Sequence, residues 1–413
     1  MSIKNMIIVA QIVFLSLFTF SNCCKKKKEY NSENKFLYQS FFTACKQGNT
    51  AEIKKYIREC IDINAIDIGN YAGGYMNCLL YAAQSGNTET VVLLLLNNVN
   101  INFKNRYGVP AGRTALMYAT ENNHYDIVQY LVSKGGNVNQ IDRQKQTALN
   151  YAARKGNMVI LKYLLSNGAK LDNKCKISSP LTSAAEGGHL EIIKYLLSRG
   201  MNIECYDSGN WTPLIMAAER GYFEIVKYLI ENGANVNVDD RNGNNTALIK
   251  AAFNGHLKIV KYLLSRGAHL SQRNTSGVYA LYYALTAGKF DVVKYLLTKN
   301  IDVNFEYNPN IYETLLMVAS RNGYYDIARQ LITMGAKVNT RNFKGQTALM
   351  MACDYGHLNI VRLLVTHGAD ANLKDGLDSS SLQDGSGCST ALDYAKMRKH
   401  VDIMNYLRSV GAR

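Results

Sequence analysis

The feature that most constrains this chain is a pattern that recurs every 32 to 35 residues through its middle. One copy, residues 211–237, reads WTPLIMAAERGYFEIVKYLIENGANVN. Thr212 is a good helix N-cap, and Pro213 suits the first helical position, where a backbone N–H is not needed. Gly221 supplies the left-handed residue that commonly ends a helix. The copy therefore predicts two short helices separated by a turn.

These helices are too short to bury their apolar faces alone, so each pair needs neighbouring pairs. The copies can be aligned on one apolar position of the first helix, which we call the leucine slot. It is occupied by Phe41, Leu79, Leu116, Leu149, Leu181, Leu214, Leu248, Leu281, Leu316, Leu349 and Leu392. A fixed spacing of this kind predicts a solenoid of stacked helix pairs.

The pattern resembles the ankyrin repeat family, whose signature runs from T-P-L-H through A-A and G-H to a G-A-x-V-N close. The resemblance covers residues 35–413 and implies an all-α solenoid of about eleven helix-turn-helix repeats with projecting hairpin-like loops. It also implies binding through a shared geometry, with no chemistry common to the family. The sequence departs from the signature at the histidine after the leucine slot. Other residues stand there (Met117, Asn150, Thr182, Ile215, Ile249, Tyr282, Met317 and Met350), which predicts the loss of a hydrogen bond that stiffens the repeat opening.

A different set of histidines recurs at the start of the second helices, namely His124, His189, His256 and His357. Repetition at one repeat position favours a structural role over catalysis. Asn123 replaces the glycine before the first of these histidines, and asparagine is the next best residue for a left-handed conformation.

The formal net charge of +15 has two main sources. One is the run of four lysines at 25–28. The other is a position on the second helices, which we call the lysine row, occupied by Lys162, Lys194, Lys227, Lys261, Lys294, Arg329 and Arg362. We interpret this row as a solvated face with tyrosines packed between repeats. A strip for anionic lipid or an acidic partner is the alternative, and nucleic-acid binding is not expected.

The first 28 residues do not fit the repeat. An apolar run at 6–20 matches the length of a signal-peptide core and is too short to span a membrane. The following residues, Phe-Ser-Asn-Cys at 20–23, resemble a relaxed bacterial lipobox, with Cys24 as the alternative lipidated cysteine, for which Ser21 would stand in the apolar position. The resemblance implies a signal peptide at 1–22, lipidation of Cys23, a polar tether over 23–34, and a membrane-anchored lipoprotein in the bacterial cell envelope. A signal anchor, an ordinary signal peptide and an untargeted soluble protein remain open alternatives, because positive charge after an apolar segment resists translocation.

The nine cysteines include no C-x-x-C pair. Their scatter predicts neither a zinc site nor a disulfide framework. Cys45 and Cys353 fall on first helices and are expected to be buried, whereas Cys388 lies in a predicted loop. The sequence contains no H-E-x-x-H, G-x-S-x-G or phosphate-cradling glycine motif, and it predicts no enzyme, cofactor or metal site.

The ankyrin resemblance places the binding surface on the loop tips and the exposed ends of the first helices. The candidate binding residues are Trp211, Arg154, Lys155, Arg220, Phe253, Arg321 and Tyr355. Trp211 is the only tryptophan, and aromatic and arginine side chains are typical of binding hot spots. The sequence thus predicts a monomeric, non-catalytic protein-interaction scaffold that is membrane-anchored, with a soluble or secreted effector or inhibitor as the alternative. It does not identify the partner.

Overall fold

The computed structural model describes residues 34–67, 75–106, 111–172, 178–240, 245–270, 279–299, 301–304, 312–376 and 389–413. The predicted signal peptide, Cys23, the tether up to residue 33 and Cys388 lie outside these ranges. Within them the regular structure is α-helical, apart from isolated bridges such as the antiparallel one between Asp239 and Thr246.

The helices follow one another in pairs, and each pair corresponds to one predicted repeat. Their bounds are α1 Lys35–Gln47, α2 Thr50–Arg58, α3 Cys78–Ser85, α4 Thr88–Leu96, α5 Ala115–Glu121, α6 Tyr125–Ser133, α7 Ala148–Arg154, α8 Met158–Ser166, α9 Pro180–Gly187, α10 Leu190–Ser198, α11 Pro213–Arg220, α12 Phe223–Glu231, α13 Ala247–Asn254, α14 Leu257–Ser265, α15 Ala280–Thr286, α16 Phe290–Leu297, α17 Leu315–Arg321, α18 Tyr325–Thr333, α19 Ala348–Asp354, α20 Leu358–Thr366, α21 Ala391–Met397 and α22 Val401–Ser409. Odd numbers are the first helices of the repeats and even numbers the second.

The predicted helix ends are confirmed. The hydroxyl of Thr212 accepts a hydrogen bond from the Ile215 N–H at 3.3 Å, and α11 begins at Pro213. Gly221 has φ of +84° and Asn123 has φ of +60°, so both adopt the left-handed conformation. Local residue preference therefore sets where these helices start and stop.

The core lies along the faces where the helices of neighbouring repeats meet. Residues of the leucine slot are at most 4% exposed, as predicted. The described residues form two compact units, one up to Ala217 together with Glu231–Ala234, the other comprising Ala218–Ile230 and Asn235–Arg413. In the first unit α1, α3, α5, α7 and α9 pack in succession, and in the second α13, α15, α17, α19 and α21 do so.

Asparagines at the close of several described repeats join those repeats to the next one within the same unit. The side chain of Asn139 donates to the Gly168 carbonyl at 2.9 Å and accepts from the Lys170 N–H at 2.9 Å. Asn304 makes the same pair of contacts with Gly335 and Lys337, at 3.0 and 2.7 Å. Because the carbonyls at a helix C-terminus lack partners within the helix, these amides supply them from the preceding repeat.

The prediction of no disulfide framework is wrong. Cys45 and Cys78 are disulfide-bonded, with their Cα atoms 5.2 Å apart, and Cys60 and Cys205 are also in disulfides. The bonded pair is separated by 33 residues, about one repeat, so stacking brings α1 and α3 together where no local motif does. Cys353 is buried and free as expected. Burial, with a smaller contribution from Asp354, raises the pKa of its thiol to about 12.

Candidate functional site

Where the structure describes the whole loop before a first helix, as before α7, α11 and α19, the loop is a closed, hairpin-like turn, as the resemblance implies. The backbone N–H of Asp142 donates to the Gln146 carbonyl at 2.9 Å, and that of Asp207 donates to Trp211 at the same distance. One carboxylate oxygen of Asp142 accepts two N–H groups of its own loop, and the other accepts the hydroxyl of Tyr151 at 2.7 Å. The loops are therefore tied to the first helices. An Asp or Asn five residues before the opening threonine is the sequence signal for this loop closure, and it was missed in the sequence analysis.

The first unit carries a cluster of charged and aromatic side chains at the base of these loops. Arg113 is 6% exposed and forms an ion pair with Glu121. Its guanidinium lies 4.6 Å from the ring centroid of Tyr118 and 4.3 Å from that of Tyr151. Arginine stacks well on aromatic faces, so this residue fixes a loop to two helices.

The predicted binding residue Arg154 belongs to the same cluster. Its Nε donates to Glu186 and one terminal nitrogen donates to Gln146, both at 2.8 Å. These contacts hold the side chain between two repeats. Lys155, the next residue, is exposed at the end of α7.

Arg321 occupies the corresponding position in the second unit. It pairs with Glu313 at 2.5 Å, and Glu313 also accepts the hydroxyl of Tyr282 at 2.8 Å. The link joins residues eight positions apart, as in Arg113–Glu121, but with the charges exchanged. Glu313 is 1% exposed, so the pair is an internal clasp between loop and first helix.

Trp211 is half-buried in the first unit. The backbone N–H of Trp211 donates to the carboxylate of Asp207 at 2.9 Å, and the same carboxylate oxygen accepts the backbone N–H of Gly209. Burial raises the pKa of Asp207 against the opposing effect of these two hydrogen bonds. The loop thus fixes the backbone position of the tryptophan.

The second unit carries exposed aromatic side chains near its loops and first-helix ends. Phe253 is 45% exposed and meets the Tyr283 ring edge-on, with centroids 5.9 Å apart. Tyr355 is 54% exposed and Tyr312 is 47% exposed. Arg220 is exposed at the end of α11. The predicted residues therefore differ in kind: Phe253 and Tyr355 present apolar surface to solvent, whereas Arg154 and Arg321 are engaged within the repeats.

The histidines at the second-helix starts have the structural role predicted for them. The ring Nε2 of His189 donates to the Arg154 carbonyl at 2.9 Å, and that of His256 donates to the Glu219 carbonyl at 2.9 Å. His124 and His357 make the same bond to Gln84 and Arg321. Each ring reaches the end of the first helix of the preceding repeat, whose last carbonyls lack helical partners.

Residues in the slot of the missing family histidine replace its hydrogen bond in several repeats. Asn150 accepts the Thr147 N–H at 3.0 Å and donates to the Ser178 carbonyl of the next repeat at 2.9 Å. Thr182 donates to the Cys205 carbonyl at 3.1 Å. The expected loss of stiffness is therefore wrong for these openings, because other polar side chains supply the contact.

Among the residues that the structure describes, no group of three His, Cys, Asp or Glu side chains could hold a metal ion. No helix in the described ranges has both the length and the apolar character needed to cross a membrane.

Comparison with known proteins agrees with this architecture. The family described as ankyrin repeats (3 copies) matches residues 41–142, 79–175, 171–240, 238–307 and 316–413. A human protein, ankyrin repeat and KH domain-containing protein 1, is 35% identical over 78 residues, which are 19% of this chain and 3% of that protein. The rice protein named probable E3 ubiquitin-protein ligase XBOS32 is 41% identical over 70 residues, 17% of this chain and 13% of that protein. Mouse ankyrin repeat domain-containing protein 17 is 35% identical over 78 residues, again 3% of its length.

The chain thus spans only a small part of the length of these relatives. Their similarity therefore supports the repeat architecture of this chain and no further property. Since the family matches cover most of the chain and each matched segment contains the paired helices and closed loops described above, the chain belongs to the ankyrin repeat family.

Proposed function

We propose that this chain is a non-catalytic scaffold that binds a partner protein through its loops and first-helix ends. The observation that carries the proposal is that aromatic side chains are exposed at the ends of well-packed first helices. Phe253 and Tyr355 are about half exposed. Rigid aromatic side chains contribute strongly to binding because little conformational freedom is lost on contact.

Arg154 and Arg321 have a different role in this proposal. The Arg154–Glu186 ion pair joins α7 to α9, and the Arg321–Glu313 ion pair holds a loop to α17, so replacing either arginine lowers binding indirectly, through the conformation of the binding surface. Trp211, Lys155 and Arg220 are proposed as further contact residues.

An affinity pulldown with the full chain tests the binding surface. The bait carries Phe253→Ala and Tyr355→Ala together, and the matched control carries Val159→Ala, which is 60% exposed on a second helix. We expect the double variant to lose a partner that the parent and the control both retain, by at least tenfold. Equal recovery with all three baits contradicts the proposed surface.

We further propose that the chain is exported and anchored to the bacterial membrane by lipidation of Cys23. Support comes from the lipobox-like sequence and from the disulfide between Cys45 and Cys78. Disulfides persist in oxidising compartments such as the periplasm and are rare in the cytosol. Two or more acyl chains, together with lysines 25–28, would make the attachment stable.

Membrane fractionation of the parent and the Cys23→Ala variant tests the anchor, with Cys24→Ala as the control. We expect the parent and the control in the membrane fraction and the Cys23→Ala variant released from it. Mass spectrometry should find an acylated N-terminal fragment that begins at Cys23. Recovery of an intact Met1 excludes lipidation and leaves the soluble or secreted effector as the better description.

A further inference from the structure

Second helices of this protein repeat a contact between a cation and a tyrosine ring of the next repeat. The ammonium of Lys162 lies 5.2 Å from the Tyr195 ring centroid, and that of Lys261 lies 5.2 Å from Tyr295. A cation over the face of an aromatic ring is stabilised by the ring's negative electrostatic potential. In both cases the cation lies on one second helix and the tyrosine on the second helix of the next repeat.

The pair of consecutive second helices α16 and α18 lacks this tyrosine. Lys294 holds the cation position on α16, but the position of the next tyrosine is Gln330 on α18. A cavity of about 620 Å³ is open there, lined by Lys294, Asp326, Arg329, Gln330 and Thr333. The cation is therefore present and the ring that meets it in other repeats is absent.

An aromatic wall adjoins this cavity. A second opening of about 460 Å³ shares Lys294 and Asp326 with the first and includes Phe290, Tyr324 and Tyr325. The rings of Phe290 and Tyr324 meet edge-on with centroids 4.7 Å apart. Phe290 and Tyr325 are each 40% exposed, so the wall presents apolar surface to whatever enters. We call the two openings together the α16–α18 groove.

The charges around the groove favour a neutral aromatic occupant over an acidic one. Arg329 and Asp326 lie 3.7 Å apart and are both well exposed, so their ion pair is weak. Asp291 is exposed one helical turn before Lys294 and offsets its charge towards solvent. Because these opposite charges largely offset one another, the remaining electrostatic attraction is between the Lys294 ammonium and the electron-rich face of an aromatic ring.

We propose that the α16–α18 groove binds a tyrosine side chain presented by the partner protein. The incoming ring takes the place that Tyr195 and Tyr295 take in other repeats, with Lys294 over its face and Phe290 beside it. Gln330 and Thr333 supply hydrogen-bonding groups within reach of a phenol hydroxyl in the same cavity. The inference rests on the proposed scaffold function and adds a second contact surface, on the second helices.

Saturation-transfer NMR with the full chain tests the groove, using p-cresol and the peptide acetyl-Gly-Gly-Tyr-Gly-Gly-amide as probes. Gln330→Tyr restores the repeat's own ring, and we expect at least a tenfold loss of binding of both probes. Lys294→Met keeps the apolar stem without the cation and should weaken binding several-fold. Lys261→Met is the control, because its cation already covers Tyr295. The peptide with Ala in place of Tyr should not bind.

A reciprocal variant makes the test independent of whether Gln330→Tyr folds. Tyr295→Gln creates the corresponding vacancy beside Lys261, and circular dichroism checks that each variant keeps its helices. We expect this variant to bind a second equivalent of p-cresol. Unchanged binding in folded Gln330→Tyr, or loss in Lys261→Met equal to that in Lys294→Met, overturns the proposal. Equal partner recovery with the parent and the Phe253→Ala, Tyr355→Ala bait, while p-cresol still binds the groove, would overturn the first surface and leave the groove standing.

Discussion

At the scale of single residues, polar side chains at fixed repeat positions satisfy backbone groups of the neighbouring repeat. His256 is representative, because its Nε2 bonds the Glu219 carbonyl at 2.9 Å and its ring lies against Gly221. A Cβ placed on Gly221 would lie 2.6 Å from the His256 ring carbon Cε1, and φ is positive there. Glycine and histidine therefore form one unit across the repeat boundary.

Replacing His256 with Ala should lower the free energy of unfolding by about 1–3 kcal/mol, since the Glu219 carbonyl loses a partner in a half-buried place. Urea denaturation monitored by circular dichroism measures the loss. His269→Ala is the matched control, because that side chain is exposed beyond the end of α14. A loss in the control as large as that in His256→Ala would show that the inter-repeat bond contributes nothing specific.

A second residue-scale prediction concerns Asp393 in α21. Its carboxylate accepts the Thr390 N–H at 3.0 Å, and this bond is the main reason why its pKa is lowered. A carboxyl with a lowered folded-state pKa stabilises the fold above its unfolded pKa of about 3.9, and the contribution is lost as pH falls through the folded value.

Asp393→Asn should keep the capping contact, as Asn150 does in α7, but without the charge. We therefore expect the stability advantage of the parent over Asp393→Asn to be largest at neutral pH and to vanish under strong acid. Thermal melts at pH values from about 2 to 7, the range over which carboxylates titrate, measure the difference in stability between parent and variant. A constant difference between parent and variant at every pH would contradict the assignment.

At the scale of secondary-structure elements, a disulfide joins the first helices of the first two repeats. Cys45 lies near the end of α1 and Cys78 begins α3, and both are fully buried. The terminal repeat has a neighbour on one side only within the described chain, so this bond supplements packing where packing is least extensive.

Replacing Cys45 and Cys78 together with alanine should destabilise the chain by about 3–4 kcal/mol, from the entropy of closing a 33-residue loop. Denaturation with and without dithiothreitol measures the effect. The parent should lose stability on reduction, and the double variant should lose less because this bond is already gone. Equal sensitivity to reductant in both proteins would assign the effect to the disulfides of Cys60 and Cys205 instead.

At the scale of the whole molecule, stability is shared between adjacent repeats. Within the second unit, α21 packs on α19 and α22 packs on α20. Leu392, Ile403 and Leu407 of the last repeat are at most 4% exposed, and Leu364 of the repeat before it is fully buried. The last repeat therefore covers apolar surface of its neighbour.

A chain that ends at Gly376 should melt at a lower temperature and bind the dye ANS, because removal of α21 and α22 uncovers this apolar surface. A chain that ends at Ser409 keeps both helices and serves as the control. Differential scanning fluorimetry and ANS fluorescence measure the two effects. An unchanged melting temperature in the shorter chain would show that the last repeat does not act as a cap.

Much of the local architecture follows from the sequence alone. Thr212, Pro213 and Gly221 fix the ends of α11 because N-caps, proline and left-handed glycine act over a few residues of backbone. The leucine slot identifies the core because a helix with a narrow apolar face must bury that face. The family follows from the same positions, and so does a structural role for His189 and His256, although not the carbonyl that each ring reaches.

The partners of polar and sulfur groups were decided by the tertiary structure. Cys45 is bonded to Cys78, 33 residues away, and Arg154 pairs with Glu186, 32 residues away. Lys294 and Gln330, on neighbouring second helices, line the same cavity. Such pairings depend on the register in which repeats stack, and side chains a repeat apart carry no local signal of it. The sequence determined the repeating unit; stacking decided which candidate binding residues became internal clasps and which stayed exposed to a partner.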